Sequence, residues 1–127
     1  MNKLKTKKIV IDLDNTLTFD DGDLAYDKRL PRLDVLSRLR EYQCSGYEIV
    51  IHSARNMKTY AGNLGKINIH TLPVILKWLE SHQVPFDEVV VGKPWCGEEG
   101  FYVDDRAIRP KEFVDLNEEQ IHTLLKN

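Results

Sequence analysis

The sequence lacks the features that mark disulfide-bonded and membrane-spanning proteins. It holds only two cysteines, Cys44 and Cys96, without CxxC or zinc-ligand spacing, so we expect two free thiols in a reducing compartment. No apolar run approaches the roughly 20 residues that span a bilayer. Only residues 9–11 stand between the basic amino terminus and Asp12, too few for a signal peptide. These absences predict a cytoplasmic protein with no membrane partner.

The sequence also lacks a strong excess of charge of either sign. The formal net charge of -2 gives no electrostatic argument for nucleic acid or for an anionic membrane, although a polyanion could still bind locally. Basic residues are scattered, and no aromatic residues are interleaved with them as in a stacking platform for nucleotides. The composition therefore argues against nucleic acid as the partner.

What the sequence does hold is the composition of an ordinary globular domain. Its 127 residues, 42% hydrophobic and 30% charged, suffice for one core, so we expect a single domain over residues 1–127. Apolar strands alternate with amphipathic helices. The predicted strands are residues 8–13, 47–52, 88–91 and 101–103, and the predicted helices begin at Pro31, Thr71 and Asn117. This alternation predicts an α/β fold, a three-layer α/β/α parallel sheet of the Rossmann-like type with right-handed crossovers.

Two segments between these elements lack regular periodicity. Residues 18–30 carry Asp20-Asp21-Gly22-Asp23 between apolar residues, which predicts a turn at the tip of a small hairpin or flap. Residues 53–70 form a polar stretch that is long for a connector, so it is a candidate for function or an irregular solvated loop.

The first strand delivers two carboxylates into a turn. Asp12 and Asp14 stand two residues apart after an apolar run, so they point to the same side at the carboxyl edge of the sheet, where open α/β sheets bind ligands. Carboxylates at this spacing suit a divalent cation and phosphoryl transfer through an aspartyl phosphate. The alternative is turn capping, since short acidic side chains bond nearby backbone amides.

Polar residues end the other predicted strands as well. They are Ser53 after the second strand, Lys93 after the third, and Asp104-Asp105 after the fourth. Because parallel strands end on the same side of a sheet, we expect these residues to converge on the first acidic pair. Carboxylates for a metal, a nucleophile, and donors for phosphoryl oxygens are what a magnesium phosphate site requires.

The chain resembles the haloacid dehalogenase superfamily of phosphotransferases. Asp12-Leu13-Asp14-Asn15-Thr16-Leu17 is similar to its first motif, Ser53 to its second, Lys93 to its third and Asp104-Asp105 to its fourth. More narrowly, three stretches resemble small phosphatases of bacterial capsule biosynthesis. They are residues 53–57, 65–73 and 92–97.

This resemblance implies a role for each acidic residue and for the lysine. Asp12 would be the nucleophile, Asp14 the acid that protonates the leaving alcohol and then the base for water, and Lys93 a neutralising cation. Asp14 argues for hydrolysis, because the dehalogenases of the superfamily lack this acid and its ATPases have Thr there. Magnesium would bind the Asp12 carboxylate, the Asp14 carbonyl and Asp104, with Asp105 nearby or capping the following loop.

Three further residues are implied in substrate binding. Ser53 would bond a phosphoryl oxygen, with loop capping as its alternative. Asn15 stands where the superfamily often has Gly, and Asn tolerates the left-handed geometry such a turn requires. Arg55 would grip substrate, with a structural ion pair as its alternative. Arg106, after the fourth motif, has the same two alternatives, substrate contact or a structural ion pair, and His52 and His70 are left without an assigned role.

The resemblance also implies an open site, because the sequence has no room for a cap domain. Either a large substrate or another subunit of a homo-oligomer would cover it. We therefore expect a magnesium-dependent phosphomonoesterase acting on a phosphorylated sugar or a related small metabolite in polysaccharide or capsule biosynthesis. One alternative is a polynucleotide end phosphatase. Another, of a different class, is a non-hydrolytic phosphorelay receiver, although receivers place their acidic pair and acceptor in a different order.

Overall fold

A computed structural model describes residues 6–20 and 22–126 of the chain, so Asp21 of the predicted flap turn lies outside the described residues. Three strands and five α-helices follow one another within these ranges. They are β1 (Lys8–Ile11), α1 (Leu33–Cys44), β2 (Glu48–Ser53), α2 (Leu64–His70), α3 (Leu72–Ser81), β3 (Glu88–Val91), α4 (Pro110–Asp115) and α5 (Glu118–Leu124), with a 3₁₀ turn at Tyr26–Lys28. The predicted α/β class is confirmed.

The three strands form one parallel sheet in the order β1-β2-β3. Ile11 is paired with Ile51, and Ser53 is paired with Val91. All three strands therefore end at the same edge. Asp12 just beyond β1, Ser53 at the end of β2 and Lys93 just beyond β3 therefore lie at this edge, as the strand pattern predicts.

One face of the sheet forms the core. Ile11, Ile49 and Ile51 are buried in one cluster with side chains from four helices. These are Val35, Leu36, Leu39 and Tyr42 of α1, Ile75, Trp78 and Leu79 of α3, Phe113 of α4 and Ile121 of α5. Because strand side chains alternate between faces, the intervening residues belong to the opposite face. There Val10 and Val90 are exposed, and Lys8 lies 3.9 Å and 3.7 Å from carboxylate oxygens of Glu48 and Glu88.

The helix ends follow the chemistry of their terminal residues. Asn117 and Gln120 form the predicted capping box of α5, with the Asn117 side chain accepting from the Gln120 N–H at 2.8 Å. Thr71 is the residue before α3, as predicted, but its hydroxyl donates to Asn56 Oδ1 instead of capping the helix. Cys44 and Cys96 are free thiols. In the described ranges, no helix combines the length and apolar character needed to cross a membrane.

The predicted strand over residues 101–103 is wrong. Phe101 and Val103 are 80% and 89% exposed, and the segment pairs with no strand. The hydroxyl of Tyr102 instead donates to the Pro94 carbonyl at 2.6 Å. A short apolar run fits a strand by pattern alone, but it becomes one only when a neighbour supplies the hydrogen-bond ladder. Within residues 6–20 and 22–126, no strand therefore pairs with the side of β1 that faces away from β2.

Two short helices are not predicted by the sequence pattern. Helix α2 lies inside the polar stretch 53–70 and buries only Ile67, while α4 buries only Phe113. A single buried residue gives no detectable helical period. The signals that remain are local, namely the Asn63 cap on α2 and the proline that begins α4.

Candidate active site

Asp12 lies directly beyond β1, at the carboxyl edge of the sheet. Its Oδ2 accepts a hydrogen bond from the Thr16 hydroxyl at 3.2 Å, and its Oδ1 lies 3.7 Å from the Lys93 ammonium. Burial raises the pKa of the Asp12 carboxyl, although Lys93, the Leu13 N–H and Thr16 each act in the opposite direction. Asp12 is thus a partly desolvated carboxylate that faces one cation.

The turn after β1 holds this carboxylate in place. The Leu13 carbonyl accepts from the N–H groups of Thr16, Leu17 and Thr18, while the Leu13 and Leu17 side chains are fully buried. Asn15 adopts a φ of 65°, and its N–H donates to the Thr18 hydroxyl at 3.1 Å. The left-handed conformation expected of Asn15 is therefore confirmed. The turn therefore buries Leu13, Leu17 and Thr18 and leaves Asn15 exposed.

Lys93 reaches Asp12 because Gly92 turns the chain at the end of β3. Gly92 has a φ of 87°, and the Lys93 N–H donates to the Ser53 carbonyl at 3.1 Å. The positive φ favours glycine, and a Cβ there would lie 2.5 Å from Cδ2 of Leu64, so the half-exposed Leu64 side chain would have to move. The Lys93 ammonium also lies 4.4 Å from the centroid of the Tyr102 ring. The predicted pairing of Lys93 with Asp12 is present.

Ser53 is the last residue of β2, Arg55 lies two residues beyond it, and both are buried. The Ser53 Oγ accepts from the Arg55 N–H at 3.0 Å, which is the loop-capping role that the sequence left open. The Arg55 guanidinium holds Asp14 with two bonds, from Nε to Oδ2 at 3.0 Å and from Nη2 to Oδ1 at 2.7 Å. Arg55 therefore forms the structural ion pair that is predicted from the sequence as the alternative to substrate contact. Substrate binding by either residue stays a prediction.

Two residues of the flap complete this arrangement. Arg29 donates from Nη1 to Asp14 Oδ1 at 3.2 Å. The Tyr26 ring lies under both guanidiniums, 4.1 Å from Arg55 and 4.6 Å from Arg29. The Trp78 indole N–H donates to the Arg29 carbonyl at 2.7 Å and ties the flap to α3. Sequence reasoning missed Tyr26 and Arg29, because nothing local indicates that the flap folds back over Asp14.

Asp104 and Asp105 do not join this group. Both are exposed, and Asp104 Oδ1 accepts from the Arg106 N–H at 2.7 Å, which makes Asp104 the residue that caps the following turn. Among the described residues, no three His, Cys, Asp or Glu side chains lie close enough together to hold a metal ion. The expected convergence of the fourth motif is therefore not found. Its physical cause is the missing strand, since residues 101–103 do not lie alongside β1.

His52 is the last unassigned residue at this edge. Its side chain is partly buried, and its pKa is lowered chiefly by burial, then by the nearby Lys93, while Asp12 acts in the opposite direction. His70 lies on α2, where its ring centroid is 5.7 Å from that of Tyr60. His52 is thus electrostatically coupled to the candidate site, whereas His70 packs against an aromatic ring.

A comparison with solved structures identifies a close relative. A Vibrio cholerae protein, whose crystal structure was determined as an MCSG target, is 61% identical to this chain with a TM-score of 0.91. The match covers 95% of this chain and 98% of the Vibrio protein. The chain belongs to the family of this Vibrio cholerae protein. No protein-family model matches the sequence, and no curated protein matches it.

More distant structures share the fold. Two matches are chains of the Pnkp1/Rnl/Hen1 complex, described in one case as an RNA repair complex, and they are 22% and 21% identical with TM-scores of 0.51. The first match covers 89% of this chain and the second 74%. This chain spans only 36% and 28% of those longer chains. At this identity the likeness is one of fold.

Proposed function

We propose that this protein is a phosphomonoesterase of the haloacid dehalogenase type that acts through an aspartyl phosphate. The proposal rests above all on the 3.7 Å approach of the Lys93 ammonium to Asp12 at the carboxyl edge of the sheet. A nucleophilic carboxylate, a cation for phosphoryl oxygens, and a second acid two residues away are the groups that this chemistry requires.

Each residue has a defined part in the proposed reaction. An Asp12 oxygen attacks phosphorus, the P–O bond to the alcohol breaks, and Asp14 gives its proton to the leaving oxygen. Water then attacks the aspartyl phosphate, Asp14 takes a proton from it, and inorganic phosphate leaves. Lys93 offsets negative charge on Asp12 and the phosphoryl group. Ser53 and Asn15 are proposed to contact the substrate.

Magnesium is the proposed cofactor, with Asp12, Asp14, Asp104 and Asp105 as the proposed ligands. The residues as they lie in this structure do not complete such a site, because the last two acids are apart from the first two. No step above is therefore routed through a metal. A magnesium requirement would mean that residues 101–105 approach β1 in the active protein.

The proposed substrate is a phosphorylated sugar or a related small metabolite of polysaccharide or capsule biosynthesis. The site is open, so a second copy of the chain is proposed to cover it, and sedimentation velocity would reveal the oligomer.

The second candidate function is a polynucleotide end phosphatase, which is favoured by the shared fold with chains of an RNA repair complex. The proposed compartment is the cytoplasm.

The test is hydrolysis of p-nitrophenyl phosphate by wild type, Asp12→Asn and Asp14→Asn, each with magnesium and with EDTA. Asp115→Asn, at an exposed residue of α4, is the matched control. We expect turnover only in wild type and the control, and only with magnesium. Turnover by Asp12→Asn would overturn the mechanism, and phosphate release unchanged by Asp14→Asn would favour a receiver-like module. Relative rates on sugar phosphates and a 3′-phosphorylated oligonucleotide then separate the two substrate classes.

A further inference from the structure

The two arginines around Asp14 have more hydrogen-bonding capacity than that carboxylate uses. Arg55 has a side chain that is only 1% exposed, and its Nη1 is buried with no acceptor among the described residues. Arg29 Nε is likewise buried with no acceptor in the described ranges. Guanidinium groups bond nearly all of their N–H donors when buried, so these two donors call for a further acceptor.

The charges around Asp14 lead to the same conclusion. Arg29 and Arg55 bring two positive charges, and Asp14 brings one negative charge. The Tyr26 ring, which also contacts both guanidiniums, is neutral, and it stabilises cations but accepts no strong hydrogen bond. This partly enclosed group therefore carries an excess positive charge. An oxyanion would balance the charge and accept the free N–H groups together.

We propose that Arg29 and Arg55 form a binding site for an oxyanion group of the substrate, and that this group displaces Asp14 from the arginines. Asp14 thus acts as an internal anion in the ligand-free protein, and a phosphate or carboxylate oxygen takes its place on Arg55. This inference rests on the proposed function, because the freed Asp14 carboxylate takes up a proton from solvent and is then the acid of that reaction. The proposed displacement explains why Asp14 can act on the leaving group only when substrate is bound.

The surrounding structure supports an exchange at this position. Asp14 is the most accessible member of the ion-paired group, with a side chain 22% exposed against 12% for Arg29. The Arg29 backbone is held by Trp78 and the Arg55 backbone by Ser53. The two arginines are therefore the fixed partners and Asp14 the one that can turn away.

Equilibrium binding of inorganic phosphate tests the site without turnover. Asp14→Asn removes the competing charge, so phosphate should bind about tenfold more tightly than to wild type. Arg55→Lys should weaken binding by about tenfold, because lysine cannot replace a bidentate guanidinium. Arg40→Lys, at an exposed residue of α1, should bind as wild type does. Phosphate binding that is no tighter in Asp14→Asn than in wild type overturns the proposal.

A measurement on the unaltered protein guards against misfolded variants. The Arg55 Nε–H resonance should shift as phosphate is added, because its acceptor changes from Asp14 to the ligand. An unmoved signal at saturating phosphate refutes the site, even in a chain that hydrolyses esters. A shift in a chain that hydrolyses no ester refutes the proposed function and leaves the site standing.

Two substrates identify the source of the oxyanion. p-Nitrophenyl phosphate has one anionic group, whereas a 3′-phosphorylated dinucleotide also has a phosphodiester. An equal loss of kcat/KM in Arg55→Lys on both substrates assigns the arginines to the transferred phosphoryl group. A larger loss on the dinucleotide assigns them to a second anionic group. Unchanged kcat/KM on both substrates contradicts the proposal.

Discussion

Lys93 holds its ammonium 3.7 Å from Asp12 Oδ1, within ion-pair range but beyond hydrogen-bond distance. The lysine therefore offsets the charge of the carboxylate without donating a hydrogen bond to that oxygen. Asp12 keeps this oxygen available for chemistry, and its only side-chain hydrogen bond among the described residues goes from Thr16 to Oδ2. The first two predictions test this arrangement, one through the charge of Asp12 and the other through the position of Lys93.

Asp12→Asn should abolish turnover and stabilise the fold at neutral pH. The pKa of Asp12 is raised in the folded state, so the folded chain binds this proton more tightly than the unfolded chain. Stability therefore falls as the pH rises from the unfolded pKa through the folded one, and the loss is complete once Asp12 is ionised in the folded chain. We expect a loss of about 10⁴-fold in kcat. Thermal unfolding should show a higher Tm for the variant at pH 7 and none of this gain below the unfolded pKa.

Gly92→Ala should damage the site more than a matched glycine variant does. Gly46 shares the positive φ, but a Cβ there meets nothing within 4 Å. Gly46→Ala should cost about 1–2 kcal/mol in the free energy of unfolding and leave turnover intact. Gly92→Ala puts the same backbone strain on the residue directly before Lys93 and forces Leu64 to move, so kcat should fall as well. Urea unfolding and steady-state rates check the pair, and equal turnover in both variants contradicts the assigned role of Gly92.

His52 should make the fold sensitive to mild acid. Its pKa is lowered in the folded state by burial and by Lys93, so the unfolded chain takes up the proton first. Stability is then complete above the unfolded pKa near 6.5 and declines as the pH falls below it. His52→Gln should remove this decline. Urea midpoints measured from pH 8 to pH 5 test the prediction, which fails if the two proteins lose stability in parallel.

Tyr47→Phe should loosen the attachment of α5 without touching the site. The Tyr47 hydroxyl donates to Glu118 Oε1 at 2.8 Å, and burial followed by this hydrogen bond raises the pKa of Tyr47 to about 12. We expect a loss of about 1 kcal/mol in the free energy of unfolding. The wild type should also lose stability between pH 10 and 12, where the unfolded tyrosine ionises first, and the variant should lack that component. Hydrolytic activity at pH 7.5 serves as the control and should be unchanged.

The sequence predicts those parts of the structure that depend on residues close together in the chain. The apolar strand around Ile49 and Ile51, the Asn117 capping box and the left-handed Asn15 follow from local rules, and each is present. The approach of Lys93 to Asp12 is also predictable, because it requires only that parallel strands end together.

The remaining features depend on contacts between distant segments. The flap places Arg29 and Tyr26 around Asp14, and neither residue belongs to a recognisable motif. The fourth motif fails for the converse reason. The expected position of Asp104 and Asp105 requires that residues 101–103 form a strand in the sheet, and these residues do not pair with β1. In both cases the local sequence indicates the type of segment, but it does not indicate which other segment of the chain it contacts.

The hydrogen bond from Trp78 to the Arg29 carbonyl also has an optical consequence. The chain has two tryptophans, and Trp78 is 2% exposed whereas Trp95 is 41% exposed. Trp95→Phe would leave a single buried indole whose N–H bonds the flap. The fluorescence of Trp78 would then report, without any added label, whether the flap stays attached to α3 when ligands bind and dissociate.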